Sequence, residues 1–482
     1  MVKSYYELNS DIAKKTWGFS PNREIKPGHY ANGFFREICG GSSDIETLIK
    51  AASAYNRGTS KFSNEFILEL INNSYLVEEE DDEKEIFKKV GDLRKALDFI
   101  LDQDKGLFRT ANKSMSSPTI SHYSMISSDR SDNSTGKFIA QLLAYHNQEL
   151  VNELRMVLSD HNDNIYKLCL PLLKINDMGE APNLEEQYKN IITNSLFLKK
   201  VNIAFENLFL YKDKLDKNVF LQRLVNLGYF ILYLHLINSN SRKNELIPLF
   251  LVTVNPSKEL KELSRASFIR ARQSIQKGFE IRFEEYCNEQ WGKGLSIENC
   301  QNIFEQLLNN MEQKDQKMVE VIQQNFNADF LSNVIINKDN EFDTLFYNAY
   351  TRTAFNYFNL DTPEDVARFI GRNVGLLYPR EGGGGEKYYN PNARFLDMLV
   401  VTLIKPDEEI TIEEFWDRAR DTFGIIVGSN RLLDNKLLDA FSLRTASVNQ
   451  TISNLKNFTE QLSRMGYVTE YADDIAMIKG DG

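Results

Sequence analysis

The residues best placed to do chemistry in this chain are cations at helical spacing in an otherwise acidic protein. Downstream of Pro256, Lys258, Lys261, Arg265 and Arg272 fall within roughly 60° of one another on a wheel turning about 100° per residue, while Arg270, Lys277 and Arg282 lie on other sides. Such a stripe can follow a phosphate backbone or meet an acidic subunit. Its bland counterpart is a solvated helix face balanced by Glu259, Glu262, Glu280 and Glu284. A second cationic feature is the run Arg380-Glu381-Gly382-Gly383-Gly384-Gly385-Glu386-Lys387-Tyr388-Tyr389. Consecutive glycines contribute nothing to packing but permit close backbone approach. Gly383 and Gly384 between Arg380 and Lys387 are therefore a candidate phosphate cradle, with the tyrosines set to stack on a base; the alternative is a flexible surface loop. A third set is Asn454, Lys456 and Asn457 near the C-terminus, where Asn suits adenine edges and Lys suits guanine or phosphate.

Other chemistries lack their partners. Ser134-Thr135-Gly136-Lys137 contains Gly-Lys without the earlier glycine or the following Ser/Thr of a phosphate-binding loop, so no ATP site is assigned. His146-Asn147-Gln148-Glu149 offers two ligand types at i and i+3, with no second pair to complete a dimetal bundle. His122 stands without an acidic or cysteine companion, and His235, within Leu234-His235-Leu236, reads as a hydrogen-bonded core residue. Cys39, Cys169, Cys287 and Cys300 form neither a zinc spacing nor a disulfide framework and read as reduced thiols. The run Glu78-Glu79-Glu80-Asp81-Asp82-Glu83 reads as solvated acid at the head of a helix, where negative charge suits the dipole. The sequence thus singles out no catalytic residue, no metal ligand and no cofactor.

A net charge of −11 repels nucleic acid over the molecule as a whole, so contact with it requires a local basic patch or a basic partner. With 42% hydrophobic and 26% charged residues the composition is that of a globular protein. No uninterrupted apolar run reaches the ~18–20 residues that span a bilayer, and Met1-Val2-Lys3-Ser4-Tyr5-Tyr6 is not the start of a secretion signal, so a cytoplasmic location away from membranes is expected.

The elements that must position these residues read as mostly α, in a multi-domain helical protein with a C-terminal winged-helix-like module. Residues 1–108 are expected to form a mainly helical domain, with helices over 43–54 and 63–75; 109–136 is a Ser/Thr-rich linker or loop. A helical core over 137–348 carries the basic helix 257–282, and the strongly apolar 220–237 should lie at its centre. Segment 349–405 holds a helix opened by Thr362-Pro363 and the glycine loop. The module 406–482 has the clearest signals. Thr411-Ile412-Glu413-Glu414 has capping-box form, Gly424 suits a left-handed helix end, and Ile425-Ile426-Val427 is a short extended piece. A second helix, over 431–441, carries Leu432, Leu433, Leu437 and Leu438. Ser447 heads a third, with Val448, Ile452, Leu455, Leu462 and Met465 as the expected inward face; two short strands around 472–474 then make a wing. Residues 391–482 hold ten Lys+Arg against fifteen Asp+Glu, whereas duplex binding depends on neutralising phosphates, so a winged helix that docks on protein stands beside one that contacts DNA.

The tail, Phe415-Trp416-Asp417-Arg418 to Phe423-Gly424-Ile425-Ile426-Val427-Gly428, together with the glycine loop, resembles accessory proteins of prokaryotic restriction and anti-phage defence operons. The resemblance implies a subunit of a multi-subunit complex beside an ATPase or nuclease encoded elsewhere, and carries over no catalytic residue. The leading expectation is a non-catalytic, DNA-facing or scaffolding subunit. Its rivals are a metal-dependent nuclease whose carboxylates converge from separate segments, and an architectural protein that bridges other subunits without touching nucleic acid.

Overall fold

The first helix is specified at both ends by its sequence. In the computed structural model Ser4 Oγ accepts the Glu7 N–H at 3.3 Å while the Glu7 carboxylate accepts the Ser4 N–H at 2.9 Å, a reciprocal cap satisfying two orphan donors of the first turn. Helix α1, Tyr5–Trp17, ends where Gly18 turns left-handed at φ +85°. The structure describes residues 3–42 except 24, isolated positions between 82 and 92, and 121–480 apart from 163–165, 168–177, 180–181, 185, 240–244, 313–314, 337–341, 359–360, 381–386 and 472–474. The expected helices over 43–54 and 63–75, the acidic run and the wing tip lie outside the described residues, except for isolated positions such as Asp82.

Among the described residues α1 is followed by α2 (Pro27–Cys39), α3 (Thr135–His146), α4 (Gln148–Leu158), two short helices α5 (Lys189–Asn194) and α6 (Leu196–Lys200), α7 (Asn202–Phe209) and α8 (Lys217–Ile237). Strand β1 (Leu249–Phe250) leads to the long α9 (Lys258–Trp291), then α10 (Ile297–Asn309), α11 (Gln316–Ile336), α12 (Phe342–Asn356) and α13 (Pro363–Asn373). A hairpin of β2 (Leu377–Tyr378) and β3 (Tyr388–Tyr389) precedes α14 (Ala393–Leu403). The chain closes with β4 (Glu409–Thr411), α15 (Ile412–Phe423), β5 (Ile425–Ile426), α16 (Arg431–Ala440), α17 (Val448–Arg464), β6 (Val468–Glu470) and β7 (Ala476–Lys479). The protein is mostly helical, with a few short strands.

Helix α8 is the axis of the core. Strongly apolar, as 220–237 predicts, it keeps over that stretch only a narrow, partly exposed polar edge at Gln222, Arg223 and Asn226 and packs against α2, α7, α9, α13 and α14. By length and composition alone it could cross a membrane, yet 83% of its most apolar window is buried within the protein. Each Leu, Ile or Phe so enclosed contributes about 1.5–3 kcal/mol relative to exposure. His235 sits near its end as the expected core residue, with Nε2 3.0 Å from the Trp17 carbonyl.

The Ser/Thr-rich segment is, over its described part 121–136, a packed tie. Asn32 on α2 donates to the Ser127 carbonyl at 3.1 Å and accepts the Ser127 N–H at 2.9 Å, while buried Arg36 meets buried Asp132 at 3.0 Å. The other Asp132 oxygen accepts the Gly136 N–H at 3.1 Å and so caps α3. Glycine is required at 136, because a Cβ there would stand 2.2 Å from the Phe34 nitrogen. A segment that reads as solvated linker is thus buried because its polar groups find partners on α2.

At the C-terminus Thr411 Oγ1 accepts the Glu414 N–H at 3.1 Å and Gly424 closes α15 at φ +73°. Only half of the expected capping box forms, since Glu414 turns to Arg418 at 2.8 Å. Strand β5 pairs in parallel with β1, Leu249 opposite Ile425, and β4, β7 and β6 form an antiparallel sheet in that order. The inward face of α17 is the expected one at Leu455, Leu462 and Met465 and differs over its first turns. Val448 and Ile452 are exposed, and the buried side chains are Asn454, Phe458, Thr459 and Leu462. One hydrophobic cluster takes in residues from Tyr5 to Ile478, so packing runs across the positions 348 and 405 where composition changes.

Candidate functional site

The glycine run closes the β2–β3 hairpin, and that hairpin is fixed to α9. Leu377 lies opposite Tyr389 and Tyr378 opposite Tyr388. Ser264 of α9 accepts the Tyr389 N–H through Oγ at 2.8 Å and donates to the Tyr389 carbonyl at 3.3 Å. Tyr389 shares a 2.7 Å hydroxyl contact with Tyr233 of α8, and Asn390 donates to the Val252 carbonyl at 2.8 Å. A mobile strand pair could not aim a loop; this one is held from two sides.

The charges predicted from two distant stretches meet here. Lys261 places its ammonium 5.3 Å from the centre of the Tyr388 ring, within cation–π range. Arg380 donates to the carbonyls of Leu377 and Asn390, and Lys387 donates to the Pro379 carbonyl, so both cations lace the base of the hairpin. Lys387 is almost fully buried, at 3% exposure. Burial pushes its ammonium below the usual lysine range, and Arg372, Arg368 and Arg380 push the same way. Arg368 and Arg372 stand one turn apart on α13, with Arg372 over the Phe369 ring at 5.3 Å. Tyr378 is exposed beside Tyr388, ring centres 5.5 Å apart.

The stripe on α9 is only partly available. Arg272 pairs with Glu364 at the head of α13 at 2.8 Å, where Gln276 also donates to Glu364 at 2.8 Å, and so ties the two helices together. Lys258 is exposed, with a loose 3.9 Å pair to Glu262, and Arg265 is half-buried. Glu259 does not balance the stripe in the expected way; it accepts the Ser447 N–H at 2.9 Å and anchors the segment ahead of α17. Gly383 and Gly384 lie outside the described residues, as do Glu381 and Glu386 that bracket the glycines.

In α17 the expected trio divides. Lys456 and Asn457 are exposed, but Asn454 is buried at 1% exposure and donates to the carbonyls of Leu251 at 2.9 Å and Val427 at 3.0 Å. Its oxygen lies 3.4 Å from the Thr253 nitrogen. Asn454 is therefore an internal bracket joining β1, β5 and α17, corrected from a base-reading role by the backbone groups it satisfies. His146 and Glu149 are corrected too: Asn147 breaks the helix at φ −158°, so the two stand on different helices, and His146 Nε2 lies 2.6 Å from the Leu198 carbonyl.

Sequence reading missed Arg368 and Arg372, whose i, i+4 spacing on a predicted helix was the available signal. Chemically the surface offers cations and one accessible tyrosine face, that of Tyr378; Tyr388 and Tyr389, expected to stack on a base, are buried, because the hairpin packs them against α8 and α9. Among the described residues no three His, Cys, Asp or Glu side chains converge as a metal site. Comparisons of the chain with protein-family models, curated proteins and solved structures found no match.

Proposed function

We propose that this chain is a cytoplasmic, non-catalytic, DNA-facing subunit of a prokaryotic defence or restriction complex, working beside a separate ATPase or nuclease. The observation that supports the DNA-facing half is that Lys261, Arg372, Arg380 and Lys387, with Arg368 paired to Asp365 beside them, gather at one hairpin base in a chain of net charge −11. Like charges repel, and gathering them on one surface costs stability that a bound polyanion returns. Exposed Lys258 and half-buried Arg265 extend the surface along α9.

The C-terminal module fits this role as a winged helix. Three helices precede the β6–β7 hairpin, and β4 completes a sheet of order β4-β7-β6. On that reading α17 is the groove-seeking helix and Lys456 and Asn457 are its outward polar residues. A second reading, protein bridging, is favoured by one specific feature of the same module. Leu432 is 80% and Ile452 59% exposed on α16 and α17, and apolar side chains suit a protein partner better than phosphate. For the nuclease alternative, no three His, Cys, Asp or Glu side chains among the described residues are placed to hold a metal ion.

Fluorescence anisotropy of labelled duplex and single-stranded DNA, titrated with the full chain at several salt concentrations, tests the DNA-facing half. Binding that weakens steeply with salt is expected. Absence of binding at low salt, both for the chain alone and with the ATPase or nuclease encoded beside it, would remove nucleic acid from the proposal and leave bridging.

A further inference from the structure

Helix α9 turns its other side to a cavity. Arg270 is nine residues from Lys261, half a turn round the helix at about 100° per residue, and lines a space of about 460 Å³. That volume is within the range of small-molecule sites. Phe197, Ile247 and Phe441 give it apolar walls, and Arg270, Lys277 and Arg282 stand at it, together with the acid Glu245. Lys277 is paired with Glu280, and Arg282 with Glu285 at 2.6 Å. Arg270 differs: it contacts Gln273 at 3.2 Å, lies 5.8 Å from the Phe441 ring centre, and has no carboxylate partner among the described residues.

The cavity also holds a directed acceptor. His235 lines it at 3% exposure, and burial keeps the imidazole neutral by pushing its pKa down to about 4. Because the Trp17 carbonyl can only accept, Nε2 carries the proton of that 3.0 Å contact and Nδ1 is left as an acceptor. A cavity with apolar patches at Phe197, Ile247 and Phe441, a guanidinium at its wall and a neutral imidazole in its lining can hold an anion with a flat apolar body. We infer that it binds a small organic anion, an apolar body that carries one carboxylate, sulfonate or phosphate at Arg270 and a hydrogen-bond donor toward His235.

The probes are anilinonaphthalene sulfonate, an aromatic amine with a single anionic group, and phenylnaphthylamine, the same body without the charge. Fluorescence titrations of the full chain at fixed ionic strength should show the sulfonate binding at one site about tenfold more tightly, the effect of one charge-assisted contact. Arg270→Ala should weaken the sulfonate about tenfold and leave the neutral dye unchanged. Arg265→Ala, on the opposite side of α9, should alter neither. Ser274→Trp fills the cavity and should exclude both dyes, with circular dichroism and the thermal midpoint reporting whether it folds; if it does not fold, Arg270→Ala decides alone. Equal affinity for the two dyes, or sulfonate binding indifferent to Arg270→Ala, would overturn the inference, because dye held on the exposed leucines of α16 would give that result.

Discussion

Two buried cations of this protein sit in opposite company. Arg420 of α15, 6% exposed, is surrounded by carboxylates: Asp417 at 2.5 Å, Asp421 at 3.1 Å and Asp434 at 3.4 Å. Asp434 in turn accepts the Asn430 N–H at 3.3 Å, so the cluster fastens α15 to the head of α16. Lys387 is buried to a similar degree, but the groups that move its pKa are burial, Arg372, Arg368 and Arg380. In the first cluster the cation is more than matched by carboxylates, and the contacts serve the fold. The second sets three arginines around a buried lysine beneath a surface hairpin, with Asp365 paired to Arg368 at 2.6 Å, and the remaining positive field acts on whatever docks there. Burial of a cation alone therefore says little; the sign of its neighbours separates a strut from a binding surface.

The largest effect should come from breaking the strut. Arg420→Met leaves Asp434 buried beside Asp417 and should cost about 3 kcal/mol in urea unfolding, with DNA affinity per folded molecule unchanged. Asn454→Ala should come next, at about 2 kcal/mol, because buried backbone groups at Leu251, Val427 and Thr253 lose their partner. An effect of Asn454→Ala on DNA affinity without loss of stability would restore it as a contact residue.

Proton linkage sharpens the same contrast. Burial is the main cause that raises the Asp434 carboxyl to about 6, above its value in an unfolded chain. A raised carboxyl holds its proton more tightly when folded, so its stabilising contribution is complete below the unfolded pKa and is lost as pH rises through about 6. Stability of the wild type should therefore fall relative to Asp434→Asn between about pH 4 and pH 6, by on the order of 2 kcal/mol. A flat difference across that window would mean that Arg420 holds the carboxyl ionised throughout. The smallest change is expected at the other cluster. Lys387→Met loses the bond to the Pro379 carbonyl but relieves like-charge repulsion, and should stay within about 1 kcal/mol of wild type. A loss as large as that of Arg420→Met would show that both clusters are struts.

Much of the fold was legible where local rules decide it. Thr411, Gly424 and Thr362-Pro363 mark helix ends that form as their caps require, and α8 is buried because most of its circumference is apolar. What was not legible depends on partners far along the chain. The two-residue strand β5 is held by β1, and the buried polar residues around 121–136 are held by Asn32 and Arg36. The inward face of α17 was legible at Leu455, Leu462 and Met465 but misread over its first turns, because Val448 and Ile452 advertise an inward stripe while a carboxamide, Asn454, takes the buried position. The α9 stripe could be read from its spacing. Its junction with the hairpin could not, since Lys261 and Tyr388 meet only through tertiary packing.

The most direct test is the salt dependence of duplex DNA affinity for the wild type and for a Lys261→Ala, Arg265→Ala, Arg372→Ala triple variant, each verified as folded. If these side chains neutralise phosphates, the variant should bind more weakly at low salt and its slope of log affinity against log salt should be shallower by about 3, roughly one per contact removed. Identical slopes and affinities for the two proteins would contradict the account.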